Sequence, residues 1–240
     1  MLTNWLERTE LLLGNEKVEK LKQSHVLVAG LGGVGSYVAE QLVRSGIGRL
    51  TIVDGDVVQS SNRNRQLPAL VSTLGQRKAS VMASRLLDIN PELELTVVDQ
   101  FMMGKDFETL LEQPFDFVVD AIDSLSPKVF LIVHTLQRNY RLISSMGAGG
   151  KLDPSLVQIT DISKTYNCKL SRMVRKRLGK FNIKKGFPVV FSSEMVDPET
   201  VVFTENERNK KTTTGTISYL PAIFGLYAAS HVIREIISSS

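Results

Sequence analysis

Glycines stand at 30, 32, 33 and 35, in V-L-V-A-G-L-G-G-V-G, where an apolar run meets a helix-patterned one. Backbone without side chains can turn tightly there and come close to a phosphate. The helix start that follows offers unpaired N–H groups and a positive dipole end to that anion. Asp54 closes the next apolar run, L-T-I-V-D. It lies at about the 20-residue spacing at which a carboxylate can hold ribose hydroxyls. These residues suit an adenine nucleotide and leave NAD, FAD and ATP open.

The segment after Asp54 narrows that choice. D-G-D-V-V-Q-S-S-N-R-N-R-Q gathers Asp56, Asn62, Arg63, Asn64, Arg65 and Gln66, and Lys78 follows in G-Q-R-K. A dehydrogenase needs only a ribose clamp here. Amides and cations in this density suit a triphosphate, whose charge must be neutralised as pyrophosphate leaves. Taken singly, each residue is better explained as part of a surface loop or as an ordinary helix lysine. D-A-I-D-S at 120–124 ends a buried-looking strand. Asp123 can hold Mg²⁺ against phosphates or cap the helix begun by Ser126-Pro127, and metal binding is the stronger reading. Asp120 reads as structural.

Those residues need elements to place them. Strands are predicted at Val26–Ala29, Leu50–Val53, Leu95–Asp99, Phe117–Ala121 and Arg141–Ser145. Helices are predicted at Asn4–Leu13, from the glycines to Ser45, and at Gln76–Ile89, Phe107–Leu111 and Pro127–Asn139. This alternation specifies an α/β, Rossmann-like, doubly wound and mostly parallel sheet. Ligands in such sheets lie outside the strand C-terminal ends, where Gly30, Asp54 and Asp123 converge. The whole of 1–240 reads as one domain, with a nucleotide-binding core over about 24–150 and a mixed C-terminal extension over 151–240. In the extension, Leu156–Thr160 and Val201–Phe203 read as strands, and Gly186–Gly215 as polar and turn-rich. Ile217–Ile237 is strongly apolar but interrupted by Ser218, Pro221, Ser230, His231, Arg234 and Glu235. It reads as a core helix rather than a membrane span.

Composition excludes several classes. A single cysteine, Cys168, allows no intrachain disulfide and no Cys-x-x-Cys zinc pair. No opening stretch resembles a signal peptide, and a cytoplasmic setting fits. The net charge is only +4, yet Lys164 to Lys185 holds nine basic residues and no acid. Leu170, Val174, Leu178 and Phe181 fall at helical spacing within it. The segment is either a solvated helix face or a footprint for a polyanion, with Arg172, Arg175 and Lys176 as its candidate contacts.

The motifs G-L-G-G-V-G, D-G-D, N-R-N-R-Q, G-Q-R-K and D-A-I-D-S, in this order, resemble the adenylating domain of ubiquitin-activating, MoeB and ThiF type enzymes. R-T-E-L-L-L-G, S-G-I-G-R-L-T-I-V-D, I-N-P, D-A-I-D-S-x-x-P-K, G-A-G-G-K-L-D-P and F-G-L-Y-A-A-S-H-V resemble, more narrowly, the TcdA (CsdL) type tRNA threonylcarbamoyladenosine dehydratases, over nearly the whole chain. The resemblance implies a reaction. ATP activates the carboxylate of threonylcarbamoyladenosine in tRNA, and the neighbouring carbamoyl group closes the acyl-adenylate into a ring with net loss of water. It also implies roles. Glycines 30, 32, 33 and 35 line the phosphates, Asp54 holds the ribose, and Asp56 and Asn62 complete the pocket. Arg65 and Lys78 grip the triphosphate, and Asp123 positions Mg²⁺. Arg8 matches an arginine lent to the partner subunit's ATP, which requires a homodimer. A sulfur-transfer or electron-transfer protein is a further expected partner.

Departures from the family pattern bear on the alternatives. The two zinc pairs of MoeB-like relatives are missing, so no zinc is expected. Threonines 212–214 stand in K-K-T-T-T-G-T, where some dehydratases carry a cysteine, so a thioester at that position is excluded. Both points weigh against the alternative, an activator of a ubiquitin-like sulfur carrier. Arg65, Lys78 and Asp123 weigh against an NAD-dependent oxidoreductase or a non-catalytic nucleotide sensor. Cys168 reads as a buried or incidental thiol. His25, His134 and His231 read as structural.

Overall fold

The structure, a computed structural model, describes residues 4–203 and 212–238. Lys210 and Lys211 of the K-K-T-T-T-G-T stretch, the rest of 204–211, and Ser239 and Ser240 of the serine tail lie outside the described residues.

Seven strands form one sheet in the order β3-β2-β1-β4-β5-β7-β6. They are β1 (His25–Ala29), β2 (Arg49–Val53), β3 (Glu94–Val98), β4 (Phe117–Asp120), β5 (Arg141–Ser145), β6 (Val157–Asp161) and β7 (Pro188–Ser192). Strands β1 to β5 and β7 run parallel, and β6 pairs antiparallel with β7. A two-stranded ribbon, β8 (Val201–Phe203) and β9 (Thr212–Thr214), stands apart.

Every residue of β1 is buried because helices cover both faces of the sheet. Val26 and Val28 join one core with Val38 and Leu42 of α3 (Gly35–Arg44), Met82 and Leu86 of α4 (Lys78–Ile89), and Phe224 and Val232 of α8 (Tyr219–Ser238). Leu27 and Ala29 join the other with Phe107 of α5 (Lys105–Leu110), Leu131 of α6 (Leu125–Gln137) and Val174 of α7 (Lys169–Leu178). The period-2 alternation of strand side chains divides one strand between two cores. Glu40 of α3 accepts from Arg44 Nε at 2.8 Å and from Arg85 of α4, tying the two helices. Helix α8 is long and apolar enough to cross a membrane, but it buries Leu220, Phe224, Ala228, Ala229, Val232 and Ile236 against α3, α2 (Asn15–Gln23) and β5.

Two departures from the sequence reading matter. Strand β7 falls inside the stretch read as polar and turn-rich. Gly186 and Pro188 gave that stretch its turn character, but Pro188 is the first residue of the strand, a position where a missing N–H is tolerated. And α4 starts at Lys78 rather than Gln76, which puts that lysine in the first turn.

The chain leaves β1 toward β2 and β3 on one side, and β4 lies on the other. Such a reversal opens a crevice at the strand ends. Gly30 turns into it with φ +90°, and a Cβ there would lie 2.8 Å from the Ala121 carbonyl oxygen. A Cβ on Gly35 would lie 1.7 Å from the Gly30 oxygen, so the first turn of α3 can sit against the loop only with glycine at that position.

Candidate active site

A cleft of about 820 Å³ lies over the reversal, within the size range of small-molecule sites. Gly30, Gly32, Gly33, Asp54, Asp56, Arg65, Gln66, Lys78 and Asp123 line it together. Segments up to 93 residues apart in sequence (30 to 123) therefore meet at one place.

Each side chain is held by its own element. Asp54, at the end of β2, accepts from the N–H of Leu31 at 2.6 Å and from the N–H of Asp56 at 2.8 Å. It thus pins the glycine loop to the neighbouring strand. Burial pushes its pKa up, against the pull of Lys78 and those two N–H groups. Lys78 is almost wholly buried, and its Nζ donates to Asp56 Oδ2 at 3.0 Å. Arg65 donates through Nη1 to the Ser61 carbonyl at 2.9 Å and to Asn64 Oδ1 at 2.7 Å, which folds its stem across Gly33. Asn64 in turn donates to the Thr216 carbonyl at 2.9 Å, fastening the loop to the C-terminal extension. Asp123 follows β4. It lines the cleft, and Ser124 takes the N-cap position of α6.

Beneath the floor, Asp120 is fully buried. It accepts from Lys128 Nζ at 2.6 Å and from Ser144, and Lys128 also donates to the Ser145 carbonyl at 2.9 Å. Burial raises the Asp120 pKa and the ammonium opposes it. The network locks the ends of β4 and β5 to α6. Asp120 is structural, as its sequence suggested; the buried partner Lys128 is the last residue of D-A-I-D-S-x-x-P-K and had been given no role.

Several expected site residues are elsewhere. Asn62 does not line the cleft. It is buried, and its Oδ1 accepts from the N–H of Gln59, so it shapes the loop that carries Arg65. Gly35 lies under the loop as a packing glycine. Arg8 is exposed on α1 (Glu7–Leu13) and does not line the cleft of its own chain. Arg172 and Lys176 are exposed on α7, as a polyanion contact requires. Arg175 differs, because its Nη1 donates to the Thr165 carbonyl at 2.9 Å and to Thr165 Oγ1, tying α7 to the turn after β6. Its charge sits on the helix flank that faces the body of the protein.

The extension supplies the rest of the lining. Lys151, Cys168, Lys169, Leu170, Met173, Met195, Thr213 and Thr214 all border the cleft. Lys151 follows β5, Cys168, Lys169, Leu170 and Met173 lie at the start of α7, Met195 follows β7, and Thr213 and Thr214 belong to β9. Cys168 is buried at the start of α7. Among the described residues no group of three or more His, Cys, Asp or Glu could hold a metal by itself. A cation here needs phosphate oxygens to complete its shell, which is the usual habit of Mg²⁺.

A doubly wound sheet with a glycine loop, a ribose-range carboxylate and two cations at its switch point defines a nucleotide-binding α/β protein of the Rossmann type. The chain belongs to the ThiF family, whose pattern matches residues 6–239. It is similar to the tRNA threonylcarbamoyladenosine dehydratase of Bacillus subtilis (strain 168), at 41% identity over 96% of this chain and 93% of that one. It is also similar to the crystal structure of the Escherichia coli tRNA N6-threonylcarbamoyladenosine dehydratase, TcdA, in complex with ATP. That match has a TM-score of 0.88 and 35% identity, and covers 99% of this chain and 97% of the other. Adenylating relatives in the same family are more distant: the molybdopterin-synthase adenylyltransferase of Escherichia coli (strain K12) is 32% identical over only 65% of this chain.

Proposed function

We infer that this chain is an ATP-dependent tRNA threonylcarbamoyladenosine dehydratase. The observation that carries the reading is the single cleft in which the glycine loop, Asp54, Arg65, Lys78 and Asp123 meet. The near full-length similarity to dehydratases, one of them solved with ATP, supports it. The bare backbone of Gly32 and Gly33 gives the phosphates a close approach, and Asp54 keeps lone pairs for the ribose.

The chemistry follows from the groups present. A carboxylate is a poor electrophile until one of its oxygens becomes a good leaving group. The threonyl carboxylate attacks the α-phosphorus of ATP, and pyrophosphate departs into the field of Arg65 and Lys78. Mg²⁺ held by Asp123 would neutralise further phosphate charge. The tethered carbamoyl group then attacks the activated carbonyl and AMP leaves. ATP becomes AMP and pyrophosphate, and the nucleoside loses one water. Tethering supplies much of the rate, since intramolecular effective molarities reach about 10⁵–10⁸ M.

The tRNA lies along α7 in this reading. The start of that helix lines the cleft through Lys169, Leu170 and Met173, and Arg172, Lys176 and Arg177 are exposed beside them along its solvent side. The phosphate backbone can ride on the basic face while the modified nucleoside enters beside Leu170. The assembly is a homodimer, and Arg8 reaches the partner subunit's ATP. Helix α1 buries none of its own residues, and Leu11 and Leu12 are each 82% exposed, which suits a face that a second copy covers. A reducing, cytoplasmic setting suits the free thiol of Cys168. The deciding experiment is mass spectrometry of nucleosides from tRNA incubated with this protein and ATP. The expected product is cyclic threonylcarbamoyladenosine, lighter than its precursor by one water. An unchanged nucleoside with the protein folded and ATP bound overturns the reading.

A further inference from the structure

Lys151 lies in the segment between β5 and β6, lines the cleft, and is 2% exposed. Its Nζ donates to the carbonyl oxygens of Ser192, at 3.1 Å, and Glu194. An ammonium carries three donors, so one remains. No carboxylate lies within ion-pair distance of it among the described residues. The nearest acid, Glu194, instead turns both oxygens to the N–H of Leu152 at 2.9 Å and one to the N–H of Asp153 at 2.9 Å.

A buried charge without a counter-ion is costly, and a neutral donor could tie the same two carbonyls without that cost. Burial accordingly lowers the lysine's pKa, with Cys168 and Glu194 pulling it back. Ammonium chemistry and cleft position together point to an anionic ligand. The nucleotide phosphates already have the glycine loop, Arg65 and Lys78. The other anion the reaction brings into the cleft is the carboxylate of the modified nucleoside.

We propose that Lys151 is the residue that binds the substrate carboxylate, its remaining donor holding one oxygen while the other faces the α-phosphorus. The proposal rests on the dehydratase reading and adds a substrate-recognition residue to it. It explains how the enzyme distinguishes a modified tRNA from the same tRNA before modification, since both present the same phosphate backbone to α7.

The test compares two tRNAs, one with threonylcarbamoyladenosine and one with plain adenosine at that position, in binding titrations with wild type, Lys151→Gln, Lys151→Met and Lys151→Arg. Wild type should prefer the modified tRNA. Lys151→Gln and Lys151→Met should lose roughly 10–100-fold of that preference, the scale of one charge-assisted hydrogen bond. Affinity for plain tRNA and for ATP should hold, and Lys151→Arg should recover part of the preference. Gln can keep the bonds to the Ser192 and Glu194 carbonyls, so it separates charge from folding if Met fails to fold. A folded Lys151→Gln that keeps the full preference, beside a wild type that makes the cyclic product, overturns this proposal alone. A wild type that makes no cyclic product overturns the underlying reading with it.

Discussion

Lys78 Nζ and Asp56 Oδ2 lie 3.0 Å apart, the lysine side chain almost wholly buried and the carboxylate open to solvent. The lysine is therefore held at the cleft wall by Asp56 before any nucleotide arrives. Its partner is the more exposed of the two, so a triphosphate can take the lysine while Asp56 turns to water. Lys78→Ala should slow pyrophosphate release by roughly 10²–10³-fold, as loss of one preorganised charge-stabilising group does. Asp56→Ala should cost much less. A coupled pyrophosphate assay with modified tRNA and ATP compares them, and equal losses would mean that Asp56 itself touches the nucleotide.

Cys168→Ser should retain most cyclisation activity. The thiol borders the cleft, but the ring-closing nucleophile is already tethered to the substrate and needs no covalent carrier. Intact-protein mass spectrometry under turnover should show no adduct on the wild type. An adduct at Cys168 would revive a thioester route.

The two faces of α7 separate positioning from stability. Reversing Arg172 and Lys176 to Glu should raise the tRNA Kd and flatten its dependence on salt, because fewer counterions are released on binding. ATP affinity should not change. Arg175→Ala should instead lower the melting temperature, since it removes the donor to the Thr165 carbonyl and hydroxyl. Gel shifts at two salt concentrations and a melting curve distinguish the outcomes.

Arg8 gives a test by mixing. Arg8→Ala and Asp123→Ala subunits, each inactive alone, should regain activity as heterodimers that hold one intact composite site. Verified heterodimers without activity would place Arg8 outside the partner's site.

Glu40 sets a pH dependence. Burial pushes its pKa up, but hydrogen bonds from Arg85 and Arg44 outweigh that and leave it below the usual carboxylate value. A depressed carboxylate stabilises the fold above its unfolded pKa, about 4.3, and loses that contribution as pH falls through the lower folded value. Glu40→Gln should therefore destabilise by roughly 1–2 kcal/mol at neutral pH. Its gap from wild type should narrow as pH falls below about 4.3. Urea melts at pH 7 and pH 3.5 read the difference.

Much of this architecture was legible because its signals are local. The apolar runs that became β1, β2, β4 and β5 are short and bounded by glycine, aspartate or proline, and the glycines after Ala29 announce a turn at any reading. Gly30, Asp54 and Asp123 lie just past strand ends, so topology brings them to the same rim, while Arg65 and Lys78 reach it through the long connection from β2 into α4. What failed was non-local. Asn62 looked like a ligand by its neighbours, yet its amide closes a turn three residues wide. Arg175 looked like Arg172, but a helix rotates successive side chains by about 100°, so only the packed partner decides which arginine faces inward. Lys151 sits in G-A-G-G-K-L-D-P, but nothing in that motif shows its carbonyl partners, which come from the end of β7 and from Glu194 just past it.

The place of β7 in the sheet has a consequence for how the chain is made. Its Val189 and Val190 pair with Ser144 and Ser145, so β5 gains its second neighbour only after more than forty further residues have been added. A nascent chain that has emerged only as far as Gly150 holds the glycine loop, Asp54, Arg65, Lys78 and Asp123, yet ends in a parallel strand with an open edge. Such edges recruit other strands, and long-range parallel pairings form late. The nucleotide-binding half should therefore not fold by itself. Fragments ending near residue 150 should aggregate during synthesis, whereas those reaching past Ser192 pair β5 with β7 and stay in solution.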